Sequence, residues 1–314
     1  MKGERKMWFL WVLCAVILIF LILSFICAFI SLYRISEDKD SATKIPATAQ
    51  YAPYKEEMTK RIEHNKSLPY KTFSIKSEDN KKLFARYYEA KDKTAPLVIF
   101  FHGYRSSPFR DSCGAFDFYE NDEMSLLLIS QRSHENSDGR FLSMGIKERK
   151  DCSSWVEFAA KKFPQTEKII LCGVSMGAST VLFSAGEKLN KKVKGIIADC
   201  GFSSPKEIMC TVIKSMKLPV KTVYFFIKTG ARLFTKTNLD ECSVKEQLEK
   251  TDIPILFIHG EDDRFVPVDM TKECYEAYKG EKYLFTVPRA GHGMSYFVDK
   301  NGYKKAVAEF MKKI

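Results

Sequence analysis

Apolar residues run almost without a break from Met7 to Leu32; through Ile30 only Ser24 and the cysteines Cys14 and Cys27 interrupt them. A helix of that length crosses roughly 30 Å of hydrocarbon, so the pattern predicts a transmembrane segment. From Ser36 to about Tyr70 the chain turns mixed and polar, with Pro46, Pro53 and Pro69, which predicts a stalk and then a short helix. Residues 72–77 and 82–90 alternate with period two around Glu78, Asp79 and Asn80, the signature of a β-hairpin. Apolar runs follow at 97–101, 125–129, 169–172, 193–198, 253–258 and 283–287, separated mostly by helical stretches. Continuous apolar strands of this kind predict an α/β fold around a mostly parallel central sheet buried on both faces, with the hairpin as its antiparallel edge.

One interval breaks the rhythm. More than fifty residues separate the strand ending at Asp199 from the one starting at Ile253, too many for a simple crossover. Met209, Val212, Ile213 and Met216 share one helical face, as do Val220, Val223, Tyr224, Ile227 and Phe234. Lys214, Lys217, Lys221, Lys228, Arg232 and Lys236 fill other positions. Two amphipathic helices over the C-terminal edge of the sheet would cap a pocket there. Ordinary packing helices with solvated lysines, or a lid facing the membrane, fit the same spacing.

Charge sets the orientation. Lys2, Arg5 and Lys6 precede the apolar segment and Glu37, Asp38 and Asp40 follow it. The positive-inside bias therefore predicts a single-pass protein with a short cytoplasmic tip and its bulk on the extracytoplasmic side. The apolar core is about twice a usual signal-peptide h-region, and no clear Ala-x-Ala site follows, so a retained signal anchor is expected rather than a cleaved leader. The net charge of +11 lies mostly beyond that segment, where it would hold the domain against an anionic surface. Its basic residues are scattered and carry no nucleic-acid-binding motif, so no nucleic acid is expected as a partner. Of nine cysteines, seven lie beyond the apolar segment, an odd number without C-x-x-C spacing. That argues against a disulfide scaffold or a zinc site.

The candidate chemistry starts at Gly173-Val-Ser-Met-Gly177, an apolar strand entering a tight turn and then a helix-compatible run. Small residues flanking Ser175 let such a turn lift the hydroxyl clear of the backbone. A serine needs a histidine base within hydrogen-bond reach, and that base needs a carboxylate to fix its tautomer. Among five histidines, His64 precedes the sheet, and His102 and His259 each end an apolar strand in a His-Gly step, which suits a turn-supporting role. His134 lies in the loop 131–139, where it could touch substrate or brace the loop. His292 sits in a glycine-flanked loop after the last strand and is the candidate base. The loop after Ile258 offers Glu261, Asp262 and Asp263 as the acid.

The segment His259-Gly-Glu-Asp-Asp-Arg-Phe-Val-Pro267 resembles the acid loop of the α/β-hydrolase superfamily, whose aspartate aligns with Asp263. The chain order of serine, acid and histidine is also that family's. Asp262 is the fallback, and Asp199, after the preceding strand, is the alternative because some members carry their acid there. Phe100-Phe-His-Gly-Tyr104 resembles the strand-end His-Gly loop, so the resemblance implies an oxyanion hole from the backbone N–H groups of Tyr104 and Met176. Residues 131–149 are similar to a segment of bacterial single-domain members. The resemblance covers about residue 70 to the C-terminus. Tyr104 and Arg105 stand where strong lipases carry further glycines, and nothing resembles the propeller domain of the prolyl oligopeptidases.

The domains expected are a cytoplasmic tip and transmembrane anchor at 1–35, a stalk or linker at 36–70, and a hydrolase domain at 71–314 with its cap at about 203–250. The activity implied is a membrane-anchored serine hydrolase that cleaves carboxylic esters or related acyl bonds, on a small-molecule or lipid-like substrate. A serine peptidase of the same fold and an inactive binding or scaffold protein are the alternatives. No metal or organic cofactor is implied.

Overall fold

The computed structural model describes residues 2–34 and 45–314, with side chains from Met7 onward. The basic side chains of Lys2, Arg5 and Lys6, and residues 35–44 with Glu37, Asp38 and Asp40, lie outside the described part.

Eight strands form one sheet: β1 (Lys71–Lys76), β2 (Lys82–Tyr88), β3 (Leu97–Phe101), β4 (Ser125–Ser130), β5 (Ile169–Val174), β6 (Val193–Asp199), β7 (Ile255–Gly260) and β8 (Lys282–Val287). Their order is β1-β2-β4-β3-β5-β6-β7-β8. The hairpin joins antiparallel through β2, and every pairing from β4 to β8 is parallel. Strands β3 and β4 are buried at every position, as continuous apolar runs require when helices cover both faces. Trp155, Phe183 and Phe257 pack on one face, and Phe116, Tyr88 and Phe310 on the other.

The stretch expected as a stalk and short helix carries the helix Lys55–Ser67, whose Met58 and Ile62 are buried among Tyr88, Phe109 and Phe116. Between β6 and β7 lie a first cap helix, Pro205–Ser215, capped by Ser204, then a second, Val220–Thr235, and a short helix, Val244–Leu248. The expected apolar faces are only partly interior. Met209, Ile213, Tyr224 and Ile227 are buried, whereas Met216 and Phe234 are 62% and 43% exposed. The second cap helix also has a neighbour that periodicity could not announce. The N-terminal helix, Lys2–Leu32, runs beside the second cap helix, with Phe20 against Phe225 and Phe226, and Phe25 edge-on to Phe234. This helix is the one among the described residues that is long and apolar enough to cross a membrane, over Met7–Leu32.

Candidate active site

The carboxyl ends of the parallel strands meet at one edge of the sheet, and each delivers one part of the site. Strand β5 ends at Val174, and Ser175 follows with φ 56° and ψ −120° before the helix Met176–Ser184 begins. A non-glycine residue holds such a conformation only when its surroundings over-determine it. Here a Cβ on Gly177 would collide with the Phe101 carbonyl, and one on Gly173 with the Gly177 backbone. Glycine at both positions is thus what lets the strand, the turn and the crossing helix pack.

The Ser175 N–H donates to the Asp199 carbonyl at 2.8 Å, which leaves the hydroxyl pointing to the loop after β8. Ser175 Oγ lies 2.8 Å from His292 Nε2, and His292 Nδ1 lies 2.6 Å from Asp263 Oδ2. The acid fixes the tautomer: Nδ1–H donates to Asp263, so Nε2 is free to accept from the serine. Asp263 is buried, and its other oxygen accepts the N–H groups of Phe265 and Val266, both at 2.8 Å. Burial alone would raise its pKa, but hydrogen bonds from His259 and His292 outweigh that and hold it well below the usual carboxylate range. Asp262 is exposed, and its N–H donates to the Ala290 carbonyl.

Asp199, the alternative acid, lies within the site but apart from His292 Nδ1. Its carboxyl accepts from Ser295 Oγ at 3.3 Å, and burial pushes its pKa up to about 7.

The loop after β3 carries Tyr104, one of the two expected oxyanion donors. The Gly103 N–H donates to Asp111 Oδ2 at 2.7 Å, and a Cβ on Gly103 would stand 3.3 Å from Ser175 Cβ, so this loop lies against the serine. Met176 opens its helix, where an N–H has no intrahelical acceptor. The Gly103 backbone and the first turn of that helix thus both adjoin Ser175.

The remaining histidines support loops. His259 is buried, with Nδ1 2.7 Å from Thr271 Oγ1 and Nε2 between Val266 O and Asp263 Oδ2, so it braces the acid loop. His102 donates from Nδ1 to Gly103 O at 2.9 Å and accepts the Gln131 N–H at Nε2. His134 is buried edge-on to His102, and burial lowers both their pKa values. His134 Nδ1 lies 3.0 Å from Arg132 O within its own loop, and His134 lines neither chamber beside Ser175. His64 pairs with Glu120 at the surface.

Several participants carry no local sequence signal. Gln50 Oε1 accepts the His292 N–H, and Tyr51 donates its hydroxyl to His292 O, from some 240 residues away. Phe265 rests 5.1 Å from the His292 ring and Asp111 pins Gly103; only Phe265 was within a recognisable motif. Cys200 Sγ, Asp263 and His292 come within 4.8 Å of one another. Burial raises the Cys200 thiol well above its ordinary value, and the other two are taken up in the serine chain, so the trio is poorly suited to a thiolate-bound metal.

Ser175 lies where two chambers meet, each of about 420 Å³. One is lined in part by Gln50, Tyr51, Arg110, Asp111 and Asp199. The other opens between the cap and the N-terminal helix.

Residues 130–314 match the profile of the prolyl oligopeptidase family. The uncharacterized protein YqkD of Bacillus subtilis is 28% identical over 72% of this chain and 74% of its own length. An uncharacterized membrane protein of Saccharomyces cerevisiae, YNL320W, is 23% identical over 79% of this chain and 81% of its own. Among solved structures, an esterase of Pyrococcus furiosus superposes with a TM-score of 0.63 at 25% identity, covering 80% of this chain and 93% of that one.

Proposed function

The chain belongs to the prolyl oligopeptidase family, within the α/β-hydrolases, and on that premise we propose that it is a membrane-anchored serine hydrolase of carboxylic esters or related acyl bonds. The observation that carries the proposal is the continuous hydrogen-bonded chain from Ser175 through His292 to Asp263, at 2.8 and 2.6 Å.

In this reading Ser175 Oγ attacks the acyl carbon as His292 Nε2 takes its proton. The negative charge that develops on the carbonyl oxygen falls to the N–H groups of Tyr104 and Met176, and one such donor is worth roughly 2.7–4 kcal/mol. The imidazolium, stabilised by Asp263, returns the proton to the leaving alcohol as the ester bond breaks. Water then attacks the acyl-serine by the same route, releasing the acid and restoring the hydroxyl. The apolar N-terminal helix supports membrane anchoring, and the charges flanking it in the sequence support an extracytoplasmic domain.

Family membership favours a second reading, a serine peptidase. Against it, no carboxylate among the described residues lines the chamber under the cap, and of the two in the other chamber Asp111 is taken up by the Gly103 N–H and Asp199 by Ser295 Oγ. The full chain in detergent should react with a fluorophosphonate probe and turn over p-nitrophenyl esters but not aminoacyl-anilides. Equal labelling of Ser175→Ala would reject the nucleophile, and anilide turnover without ester turnover would reject the ester preference.

A further inference from the structure

The chamber between the cap and the N-terminal helix has an unusual wall. Cys27 and Ile30 of the membrane helix face Met209 and Ile213 of the first cap helix and Val223 and Ile227 of the second, with Ser175 at the inner end. No charged side chain among the described residues lines it. Its volume, about 420 Å³, is in the range of ligand pockets.

We infer that this chamber receives the acyl chain of a lipid ester, with the membrane helix as one wall of the binding site. The inference rests on the serine-hydrolase reading. An ester bound at Ser175 must place its acyl chain and its alcohol on different sides of the reacting carbon. The two chambers that meet there differ in kind: Arg110, Asp111, Asp199 and Gln50 bring charged and amide groups into one, whereas the described residues lining the other are apolar apart from Ser31, Tyr104 and Ser175.

The mouth identifies the substrate class. Ile30, Met216 and Leu218 line the apolar chamber, yet are 67%, 62% and 43% exposed, so they form its rim. Exposed Phe225, Leu233 and Phe234 continue the apolar surface along the second cap helix. Such a rim is costly in water and at no disadvantage against acyl chains.

The helix is also tied to the reacting end of the site. Tyr104 donates its hydroxyl to Ser31 O at 2.7 Å, and Arg105 bonds Ile30 O and Tyr33 O at 2.9 and 2.8 Å. These carbonyls end the helix and lack intrahelical donors, and the Arg105 charge suits the negative end of the helix dipole. The wall and the oxyanion loop are thereby one unit.

The test uses n-alkyl fluorophosphonates, butyl to dodecyl, against the full chain in one detergent. Each methylene buried should speed labelling by up to about fourfold, so dodecyl should exceed butyl by at least about a hundredfold. Ile213→Trp, from the cap, and Ile30→Trp, from the membrane helix, should each cut the dodecyl-to-butyl ratio at least tenfold relative to the unsubstituted chain. That comparison cancels probe partitioning into micelles, and butyl labelling reports the fold of each variant. A ratio near one, or a ratio unchanged in both variants, overturns the chamber assignment while leaving the hydrolase intact. Failure of every probe to label the unsubstituted chain overturns the hydrolase reading itself.

Discussion

Two aspartates compete for the role of acid, and burial and hydrogen bonding separate them. Asp263 gathers two N–H donors and two imidazoles, so its charge is compensated. Asp199 is buried with less compensation, and its pKa rises to about 7 from an ordinary 3.8. A raised carboxyl binds a proton in the folded state that the unfolded chain has already lost, so its contribution to stability falls as pH rises from about 4 to 7 and then levels. Asp199→Asn should therefore flatten that fall. The thermal midpoint of the full chain minus that of Asp199→Asn should drop between pH 4 and 7 and be level from about pH 7.5; an unchanging difference would show Asp199 ionised throughout. Local sequence had narrowed the acid to a few residues because motif and strand end lie together in the chain. It left Asp199 open because the choice depends on where His292 Nδ1 points, which a loop after a different strand decides.

The second cap helix shows what periodicity can and cannot say about an element. Its apolar face was readable because side chains recur every 3.6 residues, but the partner of that face lies some two hundred residues earlier. Gly230 packs against the Ser24 carbonyl and Ala28, and Ser24, Ala28 and Leu32 are buried along one side of the N-terminal helix. Small residues on both helices permit this close approach, as in membrane helix pairs. In an isolated helix Gly→Ala gains about 1 kcal/mol of stability. Gly230→Ala should instead lose about 1–3 kcal/mol, because the added methyl collides with backbone that cannot yield. Thermal unfolding of the full chain reads the sign; a rise in the midpoint would show the two helices apart.

At the scale of the whole molecule, the N-terminal helix is a structural part of the hydrolase unit as well as a membrane-length segment. A chain starting at Ile45 would uncover the face of the second cap helix around Gly230 and Ala231 and release Tyr104 and Arg105 from their carbonyl partners. It should be self-associated without detergent and unfold at a lower temperature than the full chain, measured by size-exclusion with light scattering and by thermal scans; a monodisperse fragment of unchanged midpoint would contradict this. Local patterns along the chain were enough for the α/β class, the hairpin edge, the succession of strands and the loops that carry Ser175, Asp263 and His292. Those depend on periodicity, turn geometry and short motifs, all local along the backbone. Tertiary packing alone set Gln50 and Tyr51 against the His292 loop, folded His134 into its own loop, and made Cys27 and Ile30 part of the chamber that reaches Ser175. These are contacts between residues far apart in sequence, set by how the sheet order and helix packing close the chain on itself, and no local pattern encodes them.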